Sequence, residues 1–229
     1  MSTTWGPGEA VPAATTVLLR DGAGGLETLM LRRTAGLDFA AGMWVFPGGR
    51  VDPEDADPSR PEDEEAAARR AAAREAREEA DLELDVEQFV LLSRWCPPAD
   101  APRRFNTWFF VGPAPAGAVT VDGGEIDDHL WIRPPEAIAR RDRGEIALVP
   151  PTWITLTQLS PFEDVAAAMA AISAWTPHLW VTRIIRGAPV RTLVWDPDPA
   201  HRSGVLDDLG PRNRLRMEAA GWVYERSDS

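Results

Sequence analysis

Short blocks of apolar residues, alternating with polar ones or running together, open the chain and predict strands. Residues 13–20 and 27–33 read as two of them, with Asp21-Gly22-Ala23-Gly24-Gly25 as the turn between. Trp44-Val45-Phe46 is a third, ending in Pro47-Gly48-Gly49, where the chain must bend and its backbone can approach a ligand closely. Val51 to Pro61 shows no period and reads as an acidic, Pro-rich loop. From Glu62 to Ala80 the spacing becomes helical, opened by Pro61 and an acidic first turn that suits the helix dipole. The inward side of that helix is mostly alanine, so it can lie close against a sheet.

Further strands are predicted at Phe89–Trp95, Phe105–Val111 and Leu130–Arg133, and a short helix after Pro134-Pro135-Glu136 near Ile138. Residues 151–175 read as two helices, Trp153–Leu159 and Phe162–Trp175. Strands return at Leu179–Ile185, Val190–Trp195, Arg214–Met217 and Trp222–Glu225. Strands on both sides of a central helix, with later helices, predict an α/β or α+β sandwich.

Composition narrows the chemistry. The 229 residues carry a net charge of −12, which argues against nucleic acid as a partner, since a basic face supplies most of that attraction. Every basic residue other than histidine is Arg. Without Lys there is neither a P-loop lysine nor a Schiff base. The longest apolar run, Val165 to Trp175, is too short to cross a bilayer, and Met1 to Pro12 lacks a signal-peptide pattern. The single cysteine, Cys96, cannot form an internal disulfide and reads as a buried thiol; a cytoplasmic protein is expected.

The most informative residues are Glu75, Glu78 and Glu79. Their i, i+3, i+4 spacing puts all three on one helix face, where they repel one another. A hard divalent cation reverses the sign of that repulsion. Arg74, four residues before Glu78, is placed to orient the cluster. Arg33, Arg50, Arg103 and Arg104 are candidates to grip a phosphate bidentately, each also readable as a surface residue. Phe39, Trp44, Phe105 and Trp108 can stack on a base or an acyl arm, or fill the core. The three histidines show no metal-ligand spacing.

These residues resemble the Nudix hydrolase box, G-x5-E-x7-R-E-U-x-E-E-x-G-U, with U aliphatic. Gly49 matches the opening glycine, and Arg74, Glu75, Glu78 and Glu79 the central motif; Ala76 and Leu82 stand at aliphatic positions. Asp81 replaces the last glycine, and Asp tolerates the left-handed conformation better than most residues. Between Gly49 and Arg74 lie 24 residues, against 13 in the pattern. Counting back from Arg74 puts the first box Glu at Ala66, so either Glu65 or Glu64 substitutes or the role is lost. The long insert, Trp95-Cys96-Pro97 and the Arg103-to-Phe110 segment are similar to a branch related to peroxisomal coenzyme A diphosphatases. That branch's upstream signature is matched by Arg33, Gly42 and Phe46-Pro47-Gly48-Gly49, whereas its second arginine is Asp38 here, an anion that would repel phosphate.

The resemblance, which covers roughly residues 13–150, implies an α/β/α sandwich with a mixed sheet; a domain over residues 1–175 is expected, and outside the resemblance a strand-rich C-terminal extension over 176–229 packed on it. It implies Mg²⁺ or Mn²⁺ held by Glu75, Glu78 and Glu79, with the Gly49 carbonyl. In several members of that family the general base comes from a loop outside the box, and the nearest candidates here are Glu125 and Asp128. Substrate would be a nucleoside diphosphate derivative such as a coenzyme A derivative or nucleotide sugar, split at its diphosphate. The alternative is a Nudix-fold nucleotide-binding module without turnover. The extension is a candidate homodimer contact in either case.

Overall fold

Two sequence-predicted strands form the hairpin on which the rest of the sheet is laid. In the computed structural model, which describes residues 10–36, 40–101 and 104–227, they are β1 (Val11–Gly22) and β2 (Gly25–Arg33), closed by Ala23-Gly24. Next come β3 (Trp44–Val45), β4 (Gly48–Arg50), helix α1 (Glu64–Ala80) and strands β5 (Val90–Cys96), β6 (Phe105–Pro113) and β7 (Ile126–Ile132). Helices α2 (Pro134–Asp142), α3 (Pro150–Leu159) and α4 (Val165–Ser173) follow. The chain falls into two units. The larger comprises Pro12–Ser93 and Thr107–His178; the smaller takes the described residues of Met1–Val11, Arg94–Asn106 and Leu179–Ser229.

Within the larger unit the strand order is β3-β2-β1-β6-β5, with β4 added to β1 and β7 to β2. A parallel bridge from Trp44 to Leu148 makes the sheet mixed, and the fold is α+β as expected. Successive β2 residues from Thr28 to Leu31 are fully buried, so both faces of the strand are covered. On one face Leu29 and Leu31 meet Leu18, Ala80, Leu82 and Ile126. Ala14 meets Ala68, Ala71 and Ala72 of α1, backed by Phe89, Trp108 and Phe110. The predicted alanine face is therefore the one that packs. Asp63 caps the helix by accepting the Ala66 N–H, and Asp81 ends it in the left-handed conformation at φ 55°.

Three local expectations change. Strand β7 begins at Ile126, four residues before the predicted Leu130. Its exposed Asp127 and half-buried Asp128 hide a strand that pairs with β2 through backbone hydrogen bonds. The 51–61 loop contains a 3-10 turn, Pro53–Asp55, that buries Asp55. The last predicted helix of this region is shorter, starting at Val165 behind an Asp164 cap instead of at Phe162.

The smaller unit contains β8 (His178–Val181) from Leu179 onward, β9 (Arg183–Ile185), β10 (Thr192–Val194), α5 (Ala200–Ser203), β11 (Asn213–Glu218) and β12 (Gly221–Arg226), of which β9 to β12 form a sheet ordered β12-β11-β10-β9. The predicted Leu179–Ile185 strand is split at Thr182, whose N–H donates to the Cys96 carbonyl and whose hydroxyl accepts from Trp195 Nε1. Trp95 stacks on Trp180 at 4.7 Å, and Trp195 meets both edge-on. Cys96 is buried beside Trp95, as expected for a structural thiol. Among the described residues no helix is long and apolar enough to cross a membrane.

One buried ion pair ties the turn before α5 to β11. Arg214 Nε and Nη2 each donate to Asp198 at 2.7 Å, and the Asn213 and Ala200 N–H groups complete its shell. Burial alone would raise the Asp198 carboxyl, but these donors outweigh it and hold the group below the ordinary carboxylate range. Removing one partner strands a buried charge, so Asp198→Ala should cost about 3–5 kcal/mol in denaturant titration. Because the folded value is depressed, the contribution is complete above roughly pH 4 and is lost as pH falls through the folded value. The urea midpoints of wild type and Asp198→Asn should therefore converge in acid; a gap as wide at pH 2 as at pH 7 would contradict the pairing.

Candidate active site

Strand β4 and helix α1 approach so closely that the Glu75 and Glu79 side chains reach the backbone of Gly48 and Gly49. β4 pairs with β1 through Ala14 opposite Gly49 and Thr15 opposite Gly48. The Gly48 N–H donates to Glu79 Oε2 at 2.9 Å. A Cβ on Gly49 would stand 2.4 Å from the Glu75 carboxylate carbon. The predicted turn and the predicted carboxylate face thus meet directly.

Their electrostatics follow from that closeness. Glu79 is 5% exposed, and burial pushes its carboxyl up to about 8 against the opposing Gly48 hydrogen bond. Glu75 and Glu125 repel it further, while Arg33 Nη1, 3.8 Å away, partly offsets them. The Glu75 carboxyl is also raised, first by burial and then by Glu78 and Glu125, with Arg74 opposing. Glu78 lies at the rim, its side chain 58% exposed.

Arg74 holds this group together. It donates to Glu75 at 2.9 Å, to Glu78 at 3.1 Å and to the Arg50 carbonyl at 2.9 Å. It also forms a fork on Asp55, at 3.2 and 3.0 Å. This corrects the expectation for the first box carboxylate. Glu65 pairs with Arg69 instead, and the acid facing Arg74 is the buried Asp55. Asp55 lies six positions after Gly49, the spacing G-x5-E requires, so the extra residues fall after it. Counting forward from Gly49 would have found it; counting back from Arg74 crosses the insert.

The second flank comes from β2 and β7. Arg33 Nη2 lies 3.4 Å from Glu125, so one guanidinium spans Glu79 and Glu125. Its neighbour Arg32 turns the other way, to Asp127 and Asp128. Of the two loop candidates, Glu125 is therefore the one brought to the box, and Asp128 is occupied elsewhere. Arg50 is exposed beside Gly49. Trp44 is buried, with Arg32 over its ring at 5.8 Å, and Trp108 belongs to the core, which leaves both rings little surface for a ligand. Arg104 belongs to the smaller unit, while Asp38, Phe39 and Arg103 lie outside the described residues.

Among the described residues no three His, Cys, Asp or Glu side chains converge in metal-ligand geometry. The donor set nonetheless suits a hard divalent ion: carboxylates on one helix face, two of them raised by burial and mutual repulsion, beside a turn with no side chain in the way.

An α+β sandwich whose central helix presents such a cluster to a Pro-Gly-Gly turn is a carboxylate-centred site of the Nudix kind. The family model for the NUDIX domain matches residues 10–175, and the chain belongs to that family. It is 32% identical over 176 residues to a Caenorhabditis elegans protein classed as nudix hydrolase 7, the match covering 60% of this chain and 57% of that one. The chain thus spans little more than half of that relative. The crystal structure of a NUDIX hydrolase from Alicyclobacillus acidocaldarius superposes with a TM-score of 0.65 at 25% identity, covering 73% of this chain and 99% of that one.

The two glycines should fail differently. A Cβ on Gly48 would meet the Ala14 carbonyl oxygen at 2.3 Å and the Thr15 Cα at 2.7 Å, backbone that cannot step aside. Gly48→Ala should therefore cost about 1–3 kcal/mol by thermal or chemical denaturation. Gly49→Ala meets only the movable end of Glu75, so the melting temperature should hold while Glu75 is displaced. Equal destabilisation by both substitutions would contradict this geometry.

Proposed function

We propose that the chain is a metal-dependent hydrolase that cleaves the diphosphate linkage of a nucleoside diphosphate derivative, of the coenzyme A or nucleotide-sugar type. The observation that carries this reading is the seating of Glu75 and Glu79 against Gly48-Gly49, with Glu78 held beside them by Arg74. Family membership supports the same chemistry. Glu75, Glu78, Glu79 and the Gly49 carbonyl would hold Mg²⁺ or Mn²⁺. Such an ion, when bound, neutralises phosphate oxygens and lowers the pKa of a water.

The chain's own residues supply the rest. Arg74 fixes Glu75 and Glu78 relative to each other and to the turn. Glu125, exposed at the edge of the cluster, accepts the proton of the attacking water. Oxygen adds to one phosphorus, the bridging P–O bond breaks, and two phosphate monoesters leave. Arg33 and Arg50, with planar forked donors, serve the phosphate that is not attacked.

The test is a panel of coenzyme A derivatives, nucleotide sugars and dinucleoside polyphosphates with Mg²⁺ or Mn²⁺, both fragments being identified by mass spectrometry. Chelation should abolish turnover. Glu79→Gln keeps an acceptor for the Gly48 N–H, so it should fold normally yet lose at least about 100-fold in kcat, as should Glu78→Gln. Undiminished turnover in both variants would refute the assignment. Thermal stabilisation by these compounds with no cleavage would identify a binding module instead.

A further inference from the structure

We propose that Asp122 is a positioning residue for Glu125, gathering the backbone of the loop before β7 so that the base points at the carboxylate cluster. This rests on the reading of Glu125 as the proton acceptor. The segment Asp122-Gly123-Gly124-Glu125 is exposed, and two adjacent glycines would leave it loose in isolation. Asp122 removes that freedom. Its Oδ2 accepts from the Gly124 N–H at 3.1 Å and the Glu125 N–H at 2.9 Å, and its Oδ1 from the Ile126 N–H at 2.9 Å.

Three successive N–H groups thus converge on one carboxylate, a concavity of the kind that captures anions, filled here by the chain itself. The Gly123 N–H closes the turn on the Ile126 carbonyl at 3.0 Å, with Gly123 at φ 71°. The other side of Glu125 is pinned too, since its carbonyl accepts from the Thr34 N–H at 2.8 Å. Both backbone groups of Glu125 are therefore fixed, one by Asp122 and one by the residue following Arg33. Its side chain remains free to reach Arg33 and the region of Glu75 and Glu79. Water could satisfy the same N–H groups in an exposed loop, so the clamp's effect is on direction more than on folding.

The experiment compares wild type, Asp122→Ala, Asp122→Asn, Glu125→Gln and the Asp122→Ala/Glu125→Gln double variant, with ADP-glucose and coenzyme A as probes in saturating Mg²⁺. Glu125→Gln should lower kcat about 100-fold or more. Asp122→Ala should lower kcat roughly 30- to 100-fold with KM changed less than about twofold, the loss expected for a misdirected group. Asp122→Asn, which keeps one acceptor oxygen, should recover part of it. The double variant should be no slower than Glu125→Gln, because Asp122 acts only through Glu125. Amide exchange should accelerate at residues 124–126 in Asp122→Ala, with the melting temperature nearly unchanged.

Full activity in Asp122→Ala, or the same fractional loss in both backgrounds, overturns the inference while leaving the hydrolase reading intact. A fall in melting temperature that accounts for the lost activity also overturns it. A fully active Glu125→Gln, or a wild type that cleaves neither probe, removes the base assignment and this inference with it.

Discussion

The structure turns on how closely helix α1 can lie against strand β4. A hydrogen bond from the Gly48 N–H to Glu79 spans the gap, and the Glu75 carboxylate occupies the room that a Gly49 side chain would need. Alanines at 68, 71 and 72 permit that approach by keeping the helix near the sheet. Burial of Glu75 and Glu79, and the rise of their carboxyls, follow from this closeness. Without it, these two glutamates would be ordinary solvated groups on an acidic helix.

An acidic protein that concentrates carboxylates must also keep them in place, and arginine does this twice. Arg74 forks onto Asp55 while reaching Glu75 and Glu78, so one planar cation registers the 3-10 turn against the helix. Arg33 spans Glu79 and Glu125, linking the buried end of the cluster to its exposed flank. A lysine in either place would present a point charge where a fork is used.

Much of this was legible in the chain because it is local. Helical spacing put Glu75, Glu78 and Glu79 on one face, alanine content marked the packing side, and Pro47-Gly48-Gly49 marked a close approach. Asp81 at the helix end adopts the left-handed conformation its residue type allows. What was not legible depends on partners distant in sequence. Asp55 looked like part of a featureless acidic loop, since its role appears only when Arg74 folds over it from 19 residues away. The start of β7 was hidden because Asp127 and Asp128 face solvent and Arg32, leaving no apolar alternation to read. Trp44 illustrates the remaining ambiguity: a strand aromatic can serve core or ligand, and only its burial decides between them.

The placement of the extra residues has its own meaning. Of the 18 residues between Asp55 and Arg74 the pattern needs seven, so the 11 extra ones fill the loop after Asp55 and run on into the first turns of α1, while the turn that engages Arg74 is kept. Loop closure entropy grows only slowly with length, so such a detour leaves the ends where they were. Asp55, held by Arg74, and Asp63, capping α1, act as two moorings, and the loop between them can change length or sequence at little expense to the carboxylate-bearing end of the helix. That span is where variety in this architecture can accumulate without disturbing the machinery on either shore.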